Sequence, residues 1–246
     1  MYYQPQFNLK TKRITGAEAL IRWHCPERGL ILPAEFIPLA ENTSLIFAKG
    51  NWLLNDVCRQ IIYWQEHNFP VIPISINLSS KQFSHPDLAK DILSSLTHYH
   101  IQPNLLKLEL TESLLVQNIE ITIEQFKALK SAGIGIAIDD FGTGYASLGY
   151  LQRFPFDTLK IDRCFIENIH HNAKNAAITN AIINMAKQLH FEVVAEGVET
   201  SAERDFLLAH GCELIQGYLI SKPLPTKQFR KFFYQKLKRV LKLTRN

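Results

Sequence analysis

No stretch of this 246-residue chain approaches the roughly 18 consecutive apolar residues that a membrane-spanning helix needs. The opening Met1-Tyr2-Tyr3-Gln4-Pro5 lacks the charged and apolar regions of a secretory signal. Cysteine is sparse and scattered. Cys25, Cys58, Cys164 and Cys212 form no Cys-x-x-Cys pair, which argues against a disulfide or zinc framework, and the nine histidines show no metal spacing. No linker, low-complexity stretch or internal repeat interrupts the chain. The expectation is a soluble, reduced, cytoplasmic domain.

Acid is missing from one place in particular. Residues 227 to 246 hold Lys227, Arg230, Lys231, Lys236, Lys238, Arg239, Lys242 and Arg245 and nothing to balance them, a charge of +8. The total of 27 basic and 23 acidic residues therefore leaves 19 against 23, or −4, in residues 1 to 226. Phe229, Phe232, Phe233, Leu237, Val240 and Leu241 recur at helical spacing through the basic segment, so it reads as an amphipathic helix. Its plainer reading is a last helix that buries this stripe and leaves the lysines in solvent, without nucleic acid or membrane contact.

What is present is a length and a 46% hydrophobic content that suit one α/β barrel or two small domains, of which a single domain over residues 1 to 246 is the expectation. Seven segments end, or nearly end, in a carboxylate, amide or lysine, and most read as buried strands. They are Ala17-Glu18-Ala19-Leu20, Ile74-Ser75-Ile76-Asn77, Leu108-Glu109-Leu110-Thr111-Glu112, Ile136-Ala137-Ile138-Asp139-Asp140, Leu159-Lys160-Ile161-Asp162, Val193-Val194-Ala195-Glu196 and Glu213-Leu214-Ile215-Gln216. Helical patterns near residues 34–43, 49–67, 86–98, 119–132, 146–153, 173–190, 200–210 and 226–241 alternate with them, which predicts βα units around a parallel sheet. Pro33 suits a helix start, Thr200-Ser201-Ala202-Glu203 is a capping-box pattern, and Gly133 and Gly211 sit where helices should stop.

In a parallel barrel all carboxyl ends open on one face, so these polar termini converge. Glu18, Asn77, Glu109 and Asp139 then offer four hard oxygen donors, a set that suits Mg²⁺ or Mn²⁺ better than zinc. Asp140 points the other way in a continuing strand, but a backbone turn at the strand end brings both carboxylates to a metal pair. Two cations roughly 3.5 to 4 Å apart clamp a phosphodiester and activate water between them. Lys160, alone among acids, has the chemistry to orient or deprotonate that water or to offset phosphoryl charge. Each residue also has a dull reading: a lone acid at a strand end is usually a cap or surface ion-pair partner, Asp139-Asp140 before Phe141-Gly142-Thr143-Gly144 can simply shape a turn, and an isolated lysine is usually solvated. Recurrence at the same end of successive strands is what independent caps do not require.

These residues carry a specific resemblance. Gly16-Ala17-Glu18-Ala19-Leu20-Ile21-Arg22-Trp23 resembles the signature of the EAL-domain cyclic di-GMP phosphodiesterases. In order follow Pro33-Ala34-Glu35-Phe36-Ile37-Pro38, Asn77-Leu78-Ser79, Glu109-Leu110-Thr111-Glu112, Asp139-Asp140-Phe141-Gly142-Thr143-Gly144-Tyr145, Leu159-Lys160-Ile161-Asp162, Ala195-Glu196-Gly197-Val198-Glu199-Thr200 and Gln216-Gly217-Tyr218. The likeness covers residues 2 to about 226.

The resemblance implies a TIM-like (β/α)8 barrel whose first strand runs antiparallel to the rest, and metal-dependent hydrolysis of cyclic di-GMP to linear pGpG. By similarity Glu18, Asn77, Glu109 and Asp139 hold a first Mg²⁺ or Mn²⁺, and Asp139, Asp140 and Glu196 serve a second. Lys160 assists the water. Gln4, Leu20, Arg22, Asp162 and Gln216 contact the nucleotide, with Arg22 on a phosphate, while Glu112 and Glu199 support the metal-bearing loops. The resemblance also implies a homodimer, with a contact near the segment from Asp139 to Leu148.

His24-Cys25, Lys81 and Ala146 depart from residues frequent in the family, and none is a ligand. The family usually has a short helix before the Tyr-Gln-Pro strand, which leaves two alternatives open: a fragment of a longer sensor protein, or a domain without that barrel-end cover. Besides an active enzyme, a receptor that binds the dinucleotide without cleaving it, and an interaction module using the basic tail, remain as readings. Loss of a ligand or of the lysine would mark the receptor, and neither is lost.

Overall fold

The computed structural model describes residues 1–112, 119–144 and 148–243, and the backbone alone at 119–121, 148, 150, 152 and 238–243. Tyr145, Ala146, the start of the helix expected from 146, and Arg245 lie outside the described residues, as do the side chains of Lys238, Arg239, Val240, Leu241 and Lys242.

Short runs of Ile, Val, Leu and Ala buried on both faces make the barrel staves, as a parallel sheet covered by helices requires. These are β2 (Arg13–Leu20), β5 (Ile74–Leu78), β6 (Leu106–Thr111), β7 (Gly135–Phe141), β8 (Thr158–Ile161), β9 (Glu192–Ala195) and β10 (Leu214–Ile215). They pair in that order and in parallel. The eighth stave is β1 (Tyr2–Asn8), antiparallel to β2 on one side and to β10 on the other, so the sheet closes. All seven strand-like segments are staves, and the antiparallel first strand implied by the family likeness is present.

Outside the barrel lie α1 (Pro33–Glu41), α2 (Leu45–Glu66), α3 (Ser80–Phe83), α4 (Leu88–His98), α5 (Ile119–Ser131), α6 (Leu148–Arg153), α7 (Arg163–Ile166), α8 (Ala173–Gln188), α9 (Ser201–Ala209) and α10 (Thr226–Leu243). A hairpin of β3 (Trp23–Cys25) and β4 (Gly29–Ile31) precedes α1, and β11 (Leu224–Pro225) pairs with β1. The hairpin, α3 and α7 are additions to the elements read from sequence; each is too short to show a period.

Local chemistry sets the boundaries. Pro33 opens α1, Thr200 and Glu203 close the expected capping box of α9, and Gly133 and Gly211 follow their helices with φ of +93° and +80°. The aromatic stripe of α10 turns inward: Phe229 packs against Tyr3 and Trp64 in tilted pairs with ring centroids 5.6 and 6.2 Å apart, and Phe233 meets Trp64 at 6.2 Å. Arg230 lies 3.4 Å over the Tyr63 ring and donates to Gln60, which fastens α10 to α2. No described helix is long and apolar enough to cross a membrane.

Candidate active site

The barrel register decides which polar ends meet. Asn77 at the end of β5 lies beside Glu109 of β6, and Thr111 of β6 beside Asp139 of β7. Glu18 comes from β2, Lys160 from β8, and Glu196 directly follows β9. At the centre is the Lys160 ammonium, only 1% exposed, so the solvated-lysine reading does not describe it. Its Nζ is 2.6 Å from Glu109, 2.7 Å from Glu196, 3.1 Å from Asp139 and 3.6 Å from Glu18. A lysine has three N–H donors, and three carboxylates lie within 3.1 Å to take them.

Four carboxylates around one ammonium leave surplus negative charge at a largely buried site, and the titration of Glu109, Glu196 and Lys160 reflects it. Burial pushes the Glu109 carboxyl up to about 8; Lys160 opposes this, and Glu18 and Asp139 add to it. Burial likewise holds Glu196 well above the carboxylate range against the pull of Lys160. Burial alone would lower Lys160, but Asp139, Glu109, Glu18 and Glu196 together outweigh it and keep the ammonium protonated far above neutrality. Lys160 in this arrangement is a proton holder and donor.

The remaining contacts fix the carboxylates. Asn77 Nδ2 donates to Glu18 Oε1 at 2.6 Å, and Gln216 Nε2 donates to the other Glu18 oxygen. Gln216 also reaches Gln4 Oε1 at 3.2 Å, while Gln4 Nε2 donates to the Ser221 carbonyl at 3.2 Å. Asp140 has φ of +52°, at the point where the β7–β8 register shifts, so the strand end does turn. Its amide donates to Asp139 Oδ1 at 3.0 Å, and ligand oxygens of Asp139, Asp140 and Glu196 lie within 4.8 Å of one another. Burial, Asp139 and Asp162 push Asp140 up to about 6.

A cavity of about 230 Å³ opens over these groups, lined in part by Gln4, Glu18, Leu20, Lys160, Glu196 and Gln216. Of the other residues expected at the nucleotide, Arg22 and Asp162 are not among its lining residues. Arg22 donates to the Ile21 carbonyl and lies 5.7 Å over the Tyr2 ring, and Asp162 caps α7 by accepting from the Cys164 amide at 2.9 Å. Leu20 also lines an adjoining 370 Å³ cavity together with Asn77.

The residues present fit divalent cations. All donors are hard oxygens, the carboxylates outnumber the cations, and Glu109 Oε1 is buried with no partner. Two further carboxylates hold loops. Glu112 Oε2 accepts the Gly142 and Gly144 amides at 3.1 and 3.3 Å. Glu203 accepts the amides of Glu199, Thr200 and Asn168 at 2.9, 2.9 and 3.2 Å, so its carboxylate grips the backbone that follows Glu196. Glu199 itself pairs with Arg163 at 3.1 Å. Gly197, Gly217 and Tyr218 join the cavity wall from motifs that carry the resemblance, without a role given to them there; Arg163 joins it from outside those motifs, with direct succession to Lys160-Ile161-Asp162 as its signal.

Comparison with known proteins agrees with this architecture. MucR of Pseudomonas aeruginosa, a bifunctional diguanylate cyclase/cyclic di-GMP phosphodiesterase, is 42% identical over 228 residues, which is 93% of this chain and 33% of that protein. PdeR of Escherichia coli, a cyclic di-GMP phosphodiesterase, is 35% identical over 239 residues, 97% of this chain and 36% of that protein. The chain thus spans about a third of the length of these curated relatives. The solved PaMucR phosphodiesterase in complex with cyclic di-GMP matches with a TM-score of 0.88 at 42% identity, covering 93% of this chain and 92% of that one. Residues 1–223 match the family model of the EAL domain, and the chain belongs to the EAL domain family.

Proposed function

We propose that this domain is a metal-dependent phosphodiesterase that opens one phosphodiester of cyclic di-GMP to give linear pGpG and so lowers the level of that second messenger. The observation that carries the reading is the ring of Glu18, Glu109, Asp139 and Glu196 around the buried Lys160 ammonium, with a carboxylate oxygen left over. Relatives named for the same substrate support it.

Glu18, Asn77, Glu109 and Asp139 would hold one Mg²⁺ or Mn²⁺, and Asp139, Asp140 and Glu196 a second. When bound, such a pair supplies positive charge for the phosphodiester oxygens and acidifies water. The chain's own residues do the rest. Lys160 keeps its proton at Nζ, so it orients water or offsets phosphoryl charge by donating hydrogen bonds. Asn77 and Gln216 fix the two Glu18 oxygens, and Gln4, Leu20, Arg22, Asp162 and Gln216 bind the nucleotide. Glu112 and Glu199 steady the loops that carry Asp139, Asp140 and Glu196. The same proposal takes a homodimer, a cytoplasmic domain and a sensory domain in a longer parent.

Purified protein should convert cyclic di-GMP to pGpG in Mg²⁺ or Mn²⁺, read by chromatography, and stop in EDTA. Glu18→Ala should abolish turnover with its circular dichroism unchanged. Ca²⁺, larger and less strict in geometry, should support binding with little turnover. Metal-independent cleavage would falsify the mechanism, and binding without cleavage in both Mg²⁺ and Mn²⁺ would make the domain a receptor.

A further inference from the structure

The cavity over the acidic cluster is lined by two cations among the described residues, Lys160 and Arg163. They differ in what they have left to give. Lys160 is 1% exposed and meets three carboxylates within 3.1 Å with its three donors, so most of its capacity goes to the chain's own acidic ring. Arg163 has five N–H donors in a planar fork and one carboxylate partner, Glu199, at 3.1 Å, and half of its side chain remains exposed.

Its placement is built in. Gly197 follows Glu196 with φ of +65°, and a Cβ there would lie 2.4 and 2.6 Å from Arg163 Cγ and Cβ. The glycine thus leaves the room in which the Arg163 stem lies. At the far end Glu199 fixes the guanidinium, and Glu203 holds the amides of Glu199 and Thr200 in turn. A stem seated on glycine, a head braced by a braced carboxylate and spare donors at an otherwise acidic wall describe an anion-binding arginine.

We propose that Arg163 is a substrate-binding residue that donates to a phosphate oxygen of the bound dinucleotide, with Glu199 as its positioning residue. The inference rests on the phosphodiesterase reading and adds to its proposed nucleotide contacts one from the cavity wall that Arg163 lines.

The test uses Arg163→Met, which keeps an unbranched stem over Gly197 and removes the charge. Calorimetric titration with cyclic di-GMP in Ca²⁺ should show Kd raised about 10- to 100-fold, the loss expected for a hydrogen bond to a charged group. Steady-state turnover in Mg²⁺ should show KM raised alike and kcat within about threefold. Arg163→Lys should recover part of the affinity, since a point charge replaces the fork. Added NaCl should weaken wild-type binding more steeply than binding to Arg163→Met. A wild-type Kd and KM in Arg163→Met overturns the inference while leaving the phosphodiesterase intact. A fall in kcat and melting temperature with KM unmoved also overturns it, as that is a structural role. Wild-type protein that neither binds nor cleaves the dinucleotide overturns the function on which it stands.

Discussion

Replacing Lys160 by Met exchanges a buried ammonium for an apolar side chain of similar length and strips Glu109, Glu196 and Asp139 of contacts at 2.6, 2.7 and 3.1 Å. Removing one partner of a buried ion pair costs about 3 to 5 kcal/mol, because the other charge stays buried and unpaired. Here several carboxylates are orphaned together, but protonation of Glu109, already pushed up to about 8, caps the loss near that range. For a domain of 246 residues, about 2 °C of melting temperature goes with each kcal/mol, so Lys160→Met in EDTA should melt about 6 to 10 °C below wild type. In millimolar Mn²⁺ the gap should narrow, since a cation that binds the folded cluster adds stability by mass action and in the variant faces no competing ammonium. Turnover should nevertheless stay at least about a hundredfold below wild type. Differential scanning calorimetry with and without Mn²⁺, paired with the pGpG assay, reads all three quantities. A variant that melts with wild type in EDTA would refute the claim that this ammonium compensates the acidic ring.

Glu112→Ala leaves the Gly142 and Gly144 amides without their carboxylate, at about 1 to 3 kcal/mol, and should keep the fold while losing most activity, partly regained over a Mg²⁺ series. Wild-type turnover at low Mg²⁺ would make Glu112 a bystander. Glu203 tests a pH dependence. Burial pushes its carboxyl up, but the amides of Glu199, Thr200 and Asn168 pull it further down, so its stabilisation is present above the ordinary carboxylate value of 4.5 and is lost as pH falls through the lower folded value. Glu203→Gln should therefore melt about 4 °C below wild type at pH 7, and melting curves taken down to pH 3 should show the difference shrinking; a constant gap contradicts the charge-assisted bonds. Gly217→Ala places a methyl 2.2 Å from the Val198 carbonyl oxygen and 2.3 Å from its nitrogen, backbone that pairs with Gln216 and Leu219. It should lose more than about 3 kcal/mol and weaken nucleotide binding, whereas an unaltered melting temperature would show that the loop yields.

The staves were legible because each is a brief apolar run buried on both faces and ending in one polar residue, a pattern few alternatives produce. Lys160 was legible only jointly with the acids: alone it looks like any surface lysine, and its burial follows from four side chains contributed by β2, β6, β7 and the end of β9. β1 defeated periodicity because Gln4 and Gln6 are buried beside Tyr3, so its core-facing positions do not read as apolar; the family likeness supplied it. Asp162 shows the opposite limit. The plain reading of an acid at a strand end, a cap, is met at α7, where Asp162 Oδ1 accepts the Cys164 amide, while its nucleotide contact is proposed from the resemblance alone. Arg163 escaped notice since nothing in a lone arginine signals that Gly197 and Glu199, more than 30 positions away, give it a seat.

The antiparallel β1 ties the first stave to the last: Phe7 pairs with Ile215, and Asn8 with Leu214. During synthesis the hairpin of β1 and β2 is therefore complete before the other staves yet keeps one edge unsatisfied until 195 further residues, from Leu20 to Ile215, have left the ribosome. Closing so long a loop makes the final pairing slow relative to the local βα units. The nascent barrel is a curved open sheet with two sticky margins, β1 and whichever stave was made last, and its exposure to edge-to-edge association ends only when β10 docks.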